Sequence, residues 1–259
     1  MNGRRAIVGL CMLCALLISA FAAQSASAAG TTAYTCRNVP ASGFSDSHCK
    51  VVSVPNGPFS HVSIPLNTTT EFTDSNNTTG GAKENTLLKA TIAGSAFTLT
   101  AKTTTGSGWV TNATEGEEMF VHGEGTTTYS EVTASGGCKV FTDSGAGKGE
   151  EGVIHTEPLK ASTKGQGDAQ KFEPKEGTVF ARFLLEGCTN TGINGTYTVT
   201  GSVKSSTITG TTTNFTHANT TEQNTLKLNG TIKAGIEGTA TYDARLNSSE
   251  AFTPIGPTT

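Results

Sequence analysis

Charge is scarce in this chain: 15% of its 259 residues are Asp, Glu, Lys or Arg, and the formal net charge is −3. No stretch gathers Lys and Arg into a stripe, so the chain lacks the clustered cations that displace counterions from nucleic acid. Past residue 30 there is no second long apolar run, so nothing beyond that point reads as a membrane span. Nor does any later stretch keep apolar residues at i, i+3 and i+4 for three turns, which excludes a mainly helical fold.

The usual signatures of chemistry are absent as well. There is no G-x-S-x-G elbow and no H-E-x-x-H pair, and His48, His61, His122, His155 and His217 stand too far apart to form a metal-ligand motif. The stretch GAGKGE at 145–150 resembles a phosphate loop, but Thr142 precedes it where glycine is required, and Gly149 follows Lys148. SDSHC at 45–49 sets Ser, Asp and His side by side, whereas a catalytic triad draws its members from separate elements. Glu117-Glu118 and Glu150-Glu151 are adjacent, so on a strand each pair points to opposite faces. Asp143, Glu150 and Glu151 offer oxygen ligands for calcium without the spacing of an EF-hand, and a solvated loop is the plainer reading. No catalytic residue, no metal site and no cofactor is expected.

What is present begins with an export leader. MNGRR is basic, AIVGLCMLCALLISAFAA is apolar, and QSASAAG places Ala26 and Ala28 as a cleavage site requires. Residues 1–28 are expected to be a signal peptide, the alternative being an uncleaved N-terminal anchor. Losing Arg4 and Arg5 with the leader takes the net charge from −3 to −5. Of the six cysteines, Cys36, Cys49, Cys138 and Cys188 survive cleavage. An even number in an exported chain implies two disulfides, with three pairings open. Proximity favours Cys36–Cys49 and Cys138–Cys188, worth about 3 and about 4 kcal/mol through loop-closure entropy. The localisation expected is secreted or on the cell surface.

Strand periodicity fills the rest. Tyr197, Val199 and Val203 share one face of TYTVTGSVK, Phe97, Leu99 and Ala101 one face of AFTLTAK, and Tyr242, Ala244 and Leu246 one face of TYDARL. TVFARFLLEGC is apolar on both faces, which places it in the middle of the structure, with Cys188 tying it to the strand that carries Cys138. Asn194-Gly195 and Asn229-Gly230 favour the positive φ angles of type I′ hairpins. The stretches 143–152 and 160–177 read as loops or excursions. The predicted fold is all-β, an antiparallel β-sandwich, with a barrel as second choice.

One passage is echoed. TTT-x-F-T recurs at 68–73 and 211–216, Asn-Thr-Leu at 85–87 and 224–226, and Thr-Ile at 91–92 and 231–232. The echo predicts an internal duplication, read as two small related subdomains over residues 29–115 and 116–259, the alternative being two halves of one sandwich. Two copies are too few for a solenoid.

The stretches CKV at 138–140, LEGC at 185–188 and NGTYTVTGSV at 194–203 are similar to exported, Thr- and Gly-rich β proteins of bacteria that are uncharacterised. The resemblance covers mainly the C-terminal half and implies no activity.

Function is therefore expected to be that of an exported, non-enzymatic β protein, acting as a surface, matrix or ligand-binding module. Its partner is an unknown surface, glycan or protein ligand, with no nucleic acid and no membrane span after cleavage. A carbohydrate-binding module is the first alternative, with Trp109 (in GSGWVTN) and Tyr129 as its platform, because an indole beside glycines is suited to stacking on a sugar ring. An extracellular hydrolase is the second. The T-x-T arrays at Thr196, Thr198, Thr200 and at Thr207, Thr209, Thr211 are explained by plain β propensity.

Overall fold

The computed structural model describes residues 32–49, 51–76, 78–79, 82–116, 118–164, 170–205, 208–209, 212–215 and 225–257. The expected leader, Glu117, Thr207, Thr211 and His217 lie outside them. Among the described residues there is no α-helix, only two short 3-10 turns at Ser135–Gly137 and Thr191–Ile193.

Strands β1 (Ala33–Phe44) and β2 (Val52–Ser63) form a first hairpin. Next come β3 (Thr70–Ser75), a side hairpin of β4 (Thr78–Thr79) and β5 (Ala82–Lys83), and β6 (Thr86–Ile92). The two longest strands follow, β7 (Ser95–Glu115) and β8 (Glu118–Ala134). After them run β9 (Lys139–Asp143), β10 (Lys148–Glu151), β11 (Val153–His155), β12 (Leu159–Lys164) and β13 (Lys171–Pro174). Then come β14 (Val179–Glu186), β15 (Gly195–Thr200), β16 (Val203–Lys204), β17 (Ile208–Thr209) and β18 (Thr212–Phe215). The chain closes with β19 (Lys227–Leu228), β20 (Ile232–Arg245) and β21 (Thr253–Pro257).

Most of these strands build two antiparallel sheets packed face to face, while β1 pairs with β2 and β21 beside them and β4 pairs only with β5. The broad sheet takes β20, then β3 and β6 end to end, then β7, β8, then β12 and β11 end to end, and then β13 and β16. The smaller sheet runs β10, β9, β14, β15, β19 and the first residues of β20. Strand β20 therefore belongs to both. Between the sheets lies the main core, in which Phe97, Leu99, Val132 and Ile154 of the broad sheet meet Val140, Phe183, Leu185, Val199 and Leu228 of the smaller one. Phe183 and Tyr197 are cross-strand partners and stack at 5.2 Å. A second, smaller core of Ala33, Ile64, Val110, Val121 and Ala244 lies towards the far end of the β7–β8 hairpin, where β1, β2 and β21 gather.

The expected strand faces hold. Phe97, Leu99 and Ala101 are buried together, as are Tyr197, Val199 and Val203. Strand β14, apolar on both sides, is hydrogen-bonded on both edges and occupies the middle of its sheet. Both disulfides form in the expected pairing, Cys36–Cys49 and Cys138–Cys188. Cys138 leads into β9, so the second bridge ties neighbouring core strands.

Three expectations are corrected. Asn229-Gly230 does make the β19–β20 hairpin with positive φ at both residues, 49° and 75°. Asn194 instead has φ −64° and ends a longer loop, where its Oδ1 accepts a hydrogen bond from the Cys188 N–H at 3.0 Å. The stretches 143–152 and 160–177, read as loops, contain the hairpins β9–β10 and β12–β13. Strands β10, β12 and β13 carry at most one large apolar residue each, Leu159 in β12 and Phe172 in β13, so no apolar period reveals them.

The echoed passages sit in different settings. Strands β3 and β18 flank opposite edges of β20, both reaching Thr241. Thr91-Ile92 ends β6 ahead of the turn at Ala93-Gly94, whereas Thr231-Ile232 follows the Asn229-Gly230 turn and leads into β20. Strand and turn thus come in opposite order in the two passages. A division at 115/116 falls at the tip of the β7–β8 hairpin, whose arms pair from Leu99↔Ala134 to Glu115↔Glu118. N-terminal β3 and β6 are in turn hydrogen-bonded to C-terminal β20.

Candidate functional site

Trp109 and Tyr129 do not form one platform. Tyr129 is the cross-strand partner of Thr104, and Trp109 that of Glu124. Cross-strand partners share a face, and positions 104 and 109 of one strand differ by an odd number, so the two rings point to opposite sides of the sheet. Trp109 is half-exposed on the outer face, edge-on to His122 at 5.4 Å. It stands in a row that crosses the sheet: Arg245, Glu71, Trp109, Glu124 and Lys160 are successive cross-strand neighbours. Arg245 pairs with Glu71, and Lys175 with Glu124 at 2.7 Å. Thr105, Ser107 and Thr126 continue the outer face as exposed hydroxyls.

The other sequence candidates have structural employment. Asp46 accepts the backbone N–H groups of His48 and Val51 at 3.1 and 2.7 Å, closing the loop under Cys36–Cys49. His61 packs against Phe44 and Tyr34, and His155 bonds to the Thr128 hydroxyl at 2.9 Å. Asp143 accepts from the Gly145 N–H at 2.8 Å, and Glu151 pairs with Lys139 at 3.2 Å. Among the described residues no three His, Cys, Asp or Glu side chains converge to hold a metal ion.

The feature with chemical potential lies inside. The broad sheet curls so that β3, β7, β8, β12, β13, β16 and β20 all line one cavity of about 50 Å³, with Phe180 of the smaller sheet as its lid. Asp74 reaches this cavity from β3. It shares the inner face with Phe72, and its cross-strand neighbours are Tyr242 of β20 and Gly106 of β7. Gly106 makes the space: a Cβ there would come within 2.5 Å of both Asp74 carboxylate oxygens. Lining the same cavity are Thr104, Thr127 and Tyr129, together with Phe172, Phe180 and Tyr242. Among the described residues no Lys, Arg or His lines this cavity.

The hydroxyl and amide groups nearby are largely committed elsewhere. Thr86 and Thr104 bond to each other at 2.8 Å, and Thr239 donates to Glu84 Oε2 at 2.6 Å. Asn76, fully buried in the gap between β3 and β6, donates to the carbonyls of Glu84 and Lys102 and accepts from the Thr104 N–H. Asp74 has no such arrangement: its Oδ1 is buried without a hydrogen-bond partner. Burial accordingly pushes the Asp74 carboxyl up to about 7. Tyr129 is held above the ordinary phenol range, first by burial and then by the Asp74 charge, which places the two groups in electrostatic contact. A second cavity of about 50 Å³ adjoins, lined by Leu88, Leu99, Val132, Phe183 and other apolar side chains, and Thr86, Tyr129, Phe180 and Ile236 are common to both walls.

Sequence reading passed over Asp74, yet a signal was available. In TEFTDS the period of two puts Asp74 on the side of Phe72, an acid on the apolar face of a strand. Asn76 gave no such sign, because its role depends on a gap that only the tertiary pairing creates.

A groove of about 550 Å³ between residues 157–158 and 175–182 is larger than either cavity, but its walls hold Glu157, Lys175, Glu176 and Arg182 without an aromatic ring. The chain matches no protein-family model, no curated protein and no solved structure.

Proposed function

We propose that this protein is an exported, non-enzymatic binding module that holds a small ligand inside its curled broad sheet. The observation that carries this reading is Asp74, a buried acid in the wall of a cavity, whose Oδ1 has no hydrogen-bond partner. Buried carboxyls that serve only architecture are hydrogen-bonded or ion-paired, because an unpaired one is costly to desolvate. A guest that supplies the missing donor removes that cost. Asp74 is the single carboxylate in the wall among the described residues, which favours binding over hydrolysis by paired carboxylates. Action outside the cell is supported by the two disulfides and by the leader expected over residues 1–28.

The test is a fragment screen by protein-observed NMR. Fragments are expected to move the resonances of Asp74, Thr104 and Thr127, and to lose that effect in Asp74→Asn. A screen at millimolar concentration that leaves those residues unmoved contradicts the reading.

A second reading, glycan binding on the outer face, is favoured by the half-exposed Trp109 between Glu71 and Glu124. Binding on a glycan array that disappears in Trp109→Ala would support it, and silence from both proteins would remove it.

A further inference from the structure

We infer that the guest of this cavity is a small alkylammonium ion, its nitrogen against Asp74 and its carbon among the rings of Tyr129, Phe172, Phe180 and Tyr242. The inference rests on the binding function proposed above and adds the chemistry of the ligand. Charge is the first argument. The wall holds one carboxylate and no cationic side chain among the described residues, so a neutral guest would leave an ionised Asp74 without a counter-charge. The second argument is the wall itself. Four aromatic residues line the cavity with the acid, and π-faces attract a desolvated organic cation.

A metal ion suits the site less well. Hard cations take six or more oxygen ligands with several carboxylates, whereas half of this wall is hydrocarbon. Of the hydroxyls, Thr86, Thr104 and Thr239 are already engaged. An ammonium needs only a few acceptors for its N–H donors, and Asp74 Oδ1 is one that lacks a donor. Size sets the class: about 50 Å³ has room for roughly two heavy atoms, as in methylammonium, and a longer alkyl end would have to extend into the adjoining apolar cavity behind Tyr129 and Phe180.

The experiment is calorimetric titration with methyl-, ethyl- and propylammonium chloride, against ethanol, propanol and sodium chloride at matched concentration. Wild type and Asp74→Asn are compared at pH 8, and wild type is also measured at pH 5. Of the groups facing Asp74, strand β8 contributes Tyr129 and β20 contributes Tyr242, while Gly106, Leu159, Phe172, Phe180 and Val203 carry no charge. Glu84 stands one step behind, on the Thr239 hydroxyl. Saturable binding of at least one alkylammonium at pH 8 is expected, weakened tenfold or more at pH 5, in Asp74→Asn, and for the matched alcohol. The pH comparison uses the wild-type chain, so it holds even if the variant folds poorly. Equal binding of ammonium and alcohol, or equal binding by Asp74→Asn, overturns the cation while leaving a binding cavity in place. No binding of either class, with the Asp74 and Thr104 resonances unmoved, overturns both.

Discussion

Burial pushes the Asp74 carboxyl up to about 7, and its Oδ1 is buried with no hydrogen-bond partner. The consequence for stability has a definite sign. A carboxyl raised from the ordinary 3.8 to about 7 holds its proton more tightly folded than unfolded. Its contribution is therefore complete below about pH 4 and is lost as pH rises through 7. Over that interval the loss is on the order of 4 kcal/mol, at about 1.36 kcal/mol per pH unit. Asp74→Asn keeps the shape without the charge. Chemical denaturation of the variant is expected to show higher stability than wild type at pH 8, and a flatter pH profile between 4 and 8. Two buried asparagines act in the opposite sense. Asn112 exchanges hydrogen bonds with both backbone groups of Ala33 and donates to the Ile64 carbonyl at 2.8 Å, pinning β1 and the end of β2 to β7. Asn112→Ala orphans these groups and is expected to cost about 3 kcal/mol by the same assay. Gly106→Ala is also expected to destabilise, by roughly 1–3 kcal/mol for overpacking. Asp74→Ala in the same chain should recover part of that loss, because the added Cβ meets the Asp74 carboxylate.

At the scale of the element, legibility in the sequence followed burial. Strand β14 announced its central place because Phe180, Phe183, Leu184 and Leu185 put apolar side chains on both of its faces, and Phe97, Leu99 and Ala101 announced one side of β7 by strict alternation. Neither pattern told how long β7 is, since its inner face changes to Gly106 and Gly108 beyond Thr104 and the apolar period vanishes. That same loss of side chains opens the space for Asp74, so the site lies where the strand signal fails. Strands β10, β12 and β13 were illegible for another reason: β10 buries no side chain, and β12 and β13 bring only Leu159 and Phe172 to the main core, too few to set up a period. The echoed Thr-rich strands β3 and β18 flank opposite edges of β20, a placement that β propensity alone also allows. The Cys138–Cys188 bridge ties β9 to the end of β14 across a sequence separation of 50. Replacing both cysteines by serine is expected to lower stability by about 4 kcal/mol on the loop-entropy scale, read as a lower guanidinium midpoint.

For the whole molecule, N-terminal and C-terminal strands share sheets. Strand β1 bonds to β21, and β3 and β6 bond to β20. Thermal unfolding is therefore expected as one cooperative transition with equal calorimetric and van't Hoff enthalpies, and two resolved transitions would show that the sheets melt separately. That continuity is also what closes the cavity, because β20 on one side and β13 and β16 on the other meet around Asp74 only when the full sheet curls. No helix among the described residues is long and apolar enough to cross a membrane, and the two disulfides accord with an oxidising compartment. The acid enclosed by this frame is the centre of the functional account, and its carboxyl carbon reports on it directly. An NMR titration following Asp74 in the folded protein is expected to give a midpoint near 7, moving down when an alkylammonium is present. A midpoint at the ordinary value near 3.8 would mean that Asp74 is solvated or already paired, and would contradict the account.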